Sequence, residues 1–246
     1  MARTPARHNA GARAAGAPPS PWSTAVAHVA PREAKRHAVL STAAQLFNER
    51  GFHATSLDDI AARLHVTKPT LYYYVKNKDE ILLACVRRGL QMTLDGIEAS
   101  RREGGSAIDQ LRACMTVYGH IVIQPFGMCL IRVADQDVPP EAQRELRRLK
   151  SLIDHAFRRL VAAGIEEGSL TPCSPKLAAF TIAGGLSWIG RWYRPDGEFT
   201  GEDIVRQCVE TLLGGIARGP AKATPRALTA ARGRGASPTA RSPGSS

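Results

Sequence analysis

The 246 residues suffice for a sizeable core, are 43% hydrophobic and carry a formal net charge of +11, an ordinary globular composition with a strongly basic balance. No apolar run approaches the ~18 residues of a membrane span, and the N-terminus lacks the apolar stretch of a secretory signal. Cys85, Cys114, Cys129, Cys173 and Cys208 are scattered, with no CxxC pair and no histidine at metal spacing; they read as free thiols of a reducing cytoplasm.

Residues 1–30 carry Arg3, Arg7 and Arg13 and no acid, among Ala, Gly, Pro and Ser. Residues 219–246 repeat the pattern with Lys222, Arg226, Arg232, Arg234 and Arg241. Such composition cannot bury enough apolar surface to offset the entropy of ordering, so both are expected to be disordered basic tails. They hold most of the net charge, so a nucleic-acid partner must be argued from residues placed between them.

From Arg32 to Arg50, Val39, Ala43, Leu46 and Phe47 recur on one helical face, and Gly51 stops the helix. Ser56 with Asp59 forms a capping box that opens a second helix, with Leu57, Ile60, Ala61 and Leu64 inward. His65 and Val66 make a tight break. Thr67 can cap a third helix, with Pro69 tolerated in its first turn. Asn77 with Glu80 is a further capping box, and a long helix then runs through Ile81, Leu82, Cys85, Val86 and Leu90 to a break at Gly104-Gly105.

Short links between the first three helices make a helix-turn-helix. On the third, KPTLYYYVKNK turns Leu71, Tyr74 and Val75 to the core, while Thr70 and Tyr73 project outward and Lys68 and Lys76 flank Tyr72. That surface suits a DNA major groove, with hydroxyls to base edges or phosphates and lysines to the backbone.

Residues 33–83, with AAQLFNERGFHATSLDDIAARLHVTKPTLYYYVKNKDEIL nearly continuous, resemble the TetR family of one-component bacterial transcriptional regulators. The resemblance implies an all-α chain: a three-helix helix-turn-helix DNA-binding head at 31–80, and a helical ligand-binding and dimerisation domain at 81–218. Val75 replaces the family's usual aromatic at the end of the recognition helix. By resemblance, Thr55 and Ser56 at the second helix start, with Thr67, Lys68, Thr70, Tyr72, Tyr73 and Lys78, are the DNA contacts. Lys78 opens a helix, where backbone donors and a cation together grip a phosphate.

Beyond Gly105, helical stretches run 106–123, 126–135, 140–163, 174–193 and 201–217, punctuated by proline and glycine. The last carries Ile204, Cys208 and Leu212 every four residues. Phe180 and the small residues of AAFTIAGGLSWIG precede it. The two helices suit a homodimer through a four-helix bundle; an intramolecular core would show the same pattern, and the family resemblance favours the dimer. LSWIGRWYRPDG resembles a W-Y/F-x-P-x-G signature of a subgroup that senses acyl-CoA thioesters, although Ser187 stands where many members have Asn. The expected effector is an acyl-CoA or another apolar small molecule, with Met115, Tyr118, Phe126, Met128, Trp188 and Trp192 as pocket lining, each of which also reads as plain core. His120 and His155 lack ligand-spaced partners. No GxSxG, phosphate loop or HExxH is present, so neither enzyme, cofactor nor metal is expected. The reading is a cytoplasmic, ligand-released repressor on a palindromic operator. A non-DNA-binding adaptor of the same fold is the alternative, and Lys68, Thr70, Tyr73 and Lys78 argue against it.

Overall fold

The structure, a computed structural model, describes residues 32–217; the basic tails expected at 1–30 and 219–246 lie outside them. Helix α1 (Arg32–Arg50) buries Val39, Leu40, Ala43, Ala44, Leu46 and Phe47 along one face, with Glu33 in its first turn and Arg50 in its last complementing the helix dipole. Helix α2 (Leu57–Leu64) starts at a reciprocal capping box: Asp59 N–H donates to Ser56 Oγ at 3.1 Å, and Ser56 N–H donates to the Asp59 carboxylate at 2.8 Å. It ends at His65, whose left-handed φ of 55° lets Val66 N–H reach back to Ala61 O at 3.0 Å.

Helix α3 (Lys68–Tyr72) is five residues long and buries Leu71. The side chain of Thr67 does not cap it; its hydroxyl lies 2.8 Å from that of Thr70 instead. Helix α4 (Lys78–Arg102) is capped by Asn77, which accepts from Glu80 N–H at 2.8 Å. The expected box is shifted by one residue, because the Glu80 carboxylate accepts from Lys76 N–H rather than from Asn77. Then follow α5 (Ala107–Val122), α6 (Pro125–Arg132), a 3-10 turn at Asp135–Asp137, α7 (Pro140–Glu166), α8 (Pro175–Trp192) and α9 (Gly201–Gly214). Helix α6 is shorter than the apolar pattern predicts, since Val133 turns extended at ψ 133°. Among the described residues there is no strand, only an isolated bridge between Leu170 and Ala217. The fold is all-α.

Helices α1 to α3 form a head, and α4 runs out of it to pack on α5, α6 and α7. Helix α6 touches α1, α4, α5 and α8, so head and bundle share one apolar core reaching from Val39 to Leu213. The contact is tight. A Cβ on Gly127 would sit 1.8 Å from Ile121 O, and one on Gly89 would sit 2.6 Å from Phe126 O, so α6 is wedged between α4 and the end of α5. Among the described residues no single helix is long and apolar enough to cross a membrane, and the pair α5–α6, apolar in combination, is bent by 85°.

Candidate functional site

The outward surface of the head is built around α3. Leu71 and Val75 anchor it in the core, and Tyr74 N–H and Val75 N–H both bond to Leu71 O, closing the last turn. That anchoring leaves Tyr72 exposed and Tyr73 at 74% exposure, the largest apolar projection from the head. Lys68 lies at the N-terminal end of α3 and pairs with Asp58 at 2.9 Å; the carboxylate holds its ammonium pKa above the ordinary lysine value. Beside Asp58, the Asp59 carboxylate accepts from the hydroxyl and N–H of Ser56, which hold it below its usual range. Ser56 at the start of α2, and Thr67, Lys68, Thr70, Tyr72 and Tyr73 from cap to cap of α3, thus put hydroxyl, phenol and ammonium groups on offer.

Two of the expected contacts have partners within the chain. Thr55 is 1% exposed, and its hydroxyl donates to Gly51 O at 2.9 Å, closing the turn that joins α1 to α2. The Lys78 ammonium donates to Phe52 O and Thr55 O, both at 3.0 Å, and lies 4.4 Å over the Phe52 ring. A lysine has three N–H donors, and here they staple the α1–α2 turn to the start of α4. Sequence reasoning missed Arg32, which donates to Tyr73 O at 3.2 Å and so places the start of α1 beside the end of α3.

It also missed Arg132. This cation ends an otherwise apolar helix and donates to three carbonyls: Gly190 O at 2.8 Å, Asn48 O at 2.9 Å and Tyr193 O at 3.3 Å. Burial, then the nearby Arg191, pushes its pKa down. Asn48 reciprocates by donating to Pro125 O at 2.8 Å. One guanidinium therefore binds the end of α1 to the end of α8 and the WYRP turn. The signal available in the sequence was a lone arginine in PFGMCLIR. A cleft of about 680 Å³ opens beside it, lined by Gln45, Met128, Tyr193 and Arg194 among others.

The six expected pocket residues do not converge on one cavity. Met115, Tyr118 and Phe126 are packed into the core, and burial pushes the Tyr118 phenol to about 12 against an opposing hydrogen bond from Ser187. Met128 borders the cleft beside Arg132. Trp188 and Trp192 are 65% and 47% exposed, because the buried arc of α8 is already filled by Ala178, Ala179, Ile182, Leu186 and Ile189. Trp188 instead walls an open groove of about 500 Å³ with Leu130, Ile131, Val133, Lys150 and Arg191. Of the expected dimer residues, Ile204 is buried, packing at 8% exposure in its own chain's core. Cys208 and Leu212 are half-buried, Leu212 lying over Gly185, and Phe180 is exposed with the Arg158 guanidinium 5.1 Å from its ring. Among the described residues, no group of three His, Cys, Asp or Glu side chains gathers to hold a metal.

Residues 39–85 match the family profile described as bacterial regulatory proteins, tetR family, and residues 104–216 match a tetracyclin repressor-like C-terminal domain. The HTH-type transcriptional regulator RutR of Escherichia coli O157:H7 is 32% identical over 153 residues, spanning 61% of this chain and 70% of RutR. The HTH-type transcriptional repressor KstR2 of Rhodococcus jostii is 27% identical over 195 residues, spanning 76% of this chain and 93% of KstR2. Among solved structures, AibR in complex with isovaleryl coenzyme A and operator DNA is 26% identical, superposes with a TM-score of 0.65, and covers 74% of this chain and 98% of AibR.

Proposed function

The chain belongs to the TetR family of bacterial regulators, and on that premise we propose that it is a cytoplasmic repressor: a homodimer that binds a palindromic operator and leaves it when a hydrophobic effector, most simply an acyl-CoA thioester, occupies the bundle. Regulators of this family bind DNA and respond to ligands, and they are not enzymes. The observation that carries the DNA reading is α3, held by Leu71 and Val75 with Tyr72 and Tyr73 directed outward. Ser56, Thr67, Lys68, Thr70, Tyr72 and Tyr73 are its contacts, the hydroxyls and phenols at base edges and phosphates and Lys68 exchanging Asp58 for the backbone.

Dimerisation is supported by α8, whose outward stripe is Leu177, Thr181, Gly184 and Trp188, with Cys208 and Leu212 of α9 alongside. A stripe this apolar with a glycine at its centre suits a second helix pair. The acyl-CoA reading is supported by AibR, named with isovaleryl coenzyme A, and by the groove under Trp188. There an indole, an apolar floor and the cations Lys150 and Arg191 meet the needs of a phosphorylated thioester.

The test of the DNA reading is selection of duplexes from a random library by the purified chain, with footprinting of the enriched sequence. A symmetric site is expected, with half-sites about one helical turn apart. A chain that enriches no duplex sinks the reading.

A further inference from the structure

Among the described residues, the buried side-chain atom without a hydrogen-bond partner is Asn48 Oδ1, on α1. Its companion Nδ2 donates to Pro125 O at 2.8 Å, and that bond settles which end of the amide is oxygen, since a flip would set two acceptors against each other. A buried acceptor without a donor lowers stability, and most such atoms in folded proteins are paired. Asn48 lines the cleft of about 680 Å³ beside Arg132, between α1, the start of α6 and the turn after α8. The cleft shares no lining residue with the groove under Trp188.

The rest of the wall defines what could meet that oxygen. Ile123, Pro125 and Met128 supply an apolar side. Of the charged residues lining the cleft, Glu49 pairs with Arg63 at 2.9 Å and Arg194 with Asp196 at 3.0 Å. Arg132 uses three of its five N–H donors on the carbonyls of Gly190, Asn48 and Tyr193. Its Nη1 lies 2.9 Å from Asn48 O, so the remaining donors and the unmet acceptor belong to neighbouring groups of one wall. The complement is a donor beside an acceptor on an apolar body, and the secondary amide of a ring holds the two on adjacent atoms. A carboxylate would satisfy Arg132 but brings no donor to Asn48, and it would meet Glu49 and Asp196 as well.

We propose that this cleft is an effector site separate from the groove under Trp188, taking an uncharged lactam whose N–H donates to Asn48 Oδ1 and whose carbonyl accepts from Arg132. Closure to solvent makes the site responsive. A ligand nitrogen at hydrogen-bonding distance stands where a water oxygen would, and Oδ1 is closed to water, so the bond forms only when the wall parts. Occupancy therefore favours a conformation in which α1 has shifted against α6 or the turn after α8. It alters DNA affinity by the ratio of the ligand's affinities for the two conformations, a step that rests on the DNA reading given above.

The experiment titrates the full chain with oxindole, an aromatic lactam, beside N-methyloxindole and phenylacetate, by ligand-observed NMR. Oxindole is expected to bind at least about tenfold more tightly than either, the worth of one buried hydrogen bond. Two variants locate it. Gln45→Trp puts a large side chain at an exposed position on the cleft wall, and Asn48→Met removes the acceptor. Each should weaken oxindole binding about tenfold or more, with Gln45→Trp keeping the parent melting temperature. With the duplex enriched by the parent chain, saturating oxindole should shift the duplex dissociation constant in the parent and not in Gln45→Trp. Oxindole no tighter than its N-methyl derivative, a preference for phenylacetate, or binding that survives Gln45→Trp overturns the site. Intact oxindole binding with unchanged duplex affinity overturns its effector role. A parent chain that enriches no duplex ends the DNA reading, while the binding comparisons still decide the cleft.

Discussion

Tyr73 and Lys78 stand five residues apart in one basic, aromatic run, and the fold sends them in opposite directions. Tyr73 projects outward at 74% exposure, whereas Lys78 turns back onto the carbonyls of Phe52 and Thr55. Tyr73→Ala is therefore expected to weaken binding to the selected duplex by about 1–3 kcal/mol with an unchanged melting temperature. Lys78→Ala should instead lower stability by about 1–3 kcal/mol, since its carbonyl acceptors lose a charged donor. Denaturant unfolding and DNA titration of both variants check the pair; a Lys78 variant of unaltered stability and weakened DNA binding would return that residue to the interface. Tyr118 supplies a pH signature. Its folded pKa is about 12 against an unfolded value of about 10. The fold thus keeps a proton that the unfolded chain loses, and stability should fall as pH rises from about 10 to 12, by up to roughly 3 kcal/mol. Tyr118→Phe should remove that portion of the alkaline loss, as measured by urea unfolding at each pH; an identical pH profile would contradict the assignment. At this scale the sequence showed which residue types belong to the site but not their direction. Thr55 and Ser56 are adjacent, and only the turn geometry separates the buried hydroxyl from the exposed one.

Several helices were legible because they carry start and stop signals, of which the sequence reading used Ser56 and Asn77 and passed over Ser106, Ser174 and Thr200. Ser56, Asn77, Ser106, Ser174 and Thr200 all accept a hydrogen bond from the first turn that follows them, and α1 occupies the span Arg32–Arg50 that its apolar period marks. The outward face of α8 was harder to read, since apolar residues occupy nearly its whole circumference and period alone cannot say which arc meets the bundle. Its small residues separate the two sides. A Cβ on Gly184 would meet nothing within 4 Å in this chain, while one on Gly190 would lie 2.9 Å from Val122 O. Gly184→Ala is accordingly expected to stabilise the isolated fold by up to about 1 kcal/mol through helix propensity. If α8 packs on its counterpart in a second copy, the same methyl group should weaken the dimer, seen as a higher dissociation constant in sedimentation. An unchanged dissociation constant would move the seam away from Gly184.

At the scale of the whole molecule, the question is how occupancy of the bundle reaches α3. A ligand releases DNA only to the extent that it prefers the conformation that does not bind DNA. The head and bundle share a core with α6 wedged at its centre, so a change in the bundle must move packed elements against each other. Arg132 lies where that movement would be felt, its donors divided between Asn48 O on α1 and the Gly190 and Tyr193 carbonyls at the end of α8. Arg132→Met keeps much of the apolar stem of the side chain but removes every donor. Some of the three carbonyls then lose their partner, and a destabilisation of about 3 kcal/mol is expected in chemical unfolding. The more informative readout is coupling. In the parent chain, isovaleryl-CoA and longer acyl-CoAs are expected to raise the melting temperature and lower affinity for the selected duplex; by reciprocity, the duplex should lower acyl-CoA affinity by the same factor. In the Arg132→Met variant the thermal shift should persist while both reciprocal effects collapse towards unity. Retention of full release in that variant would place the coupling in other contacts between α1, α4 and α6. A parent chain whose melting temperature and DNA affinity ignore every acyl-CoA would instead end the acyl-CoA reading, leaving a family regulator that answers to a different apolar ligand.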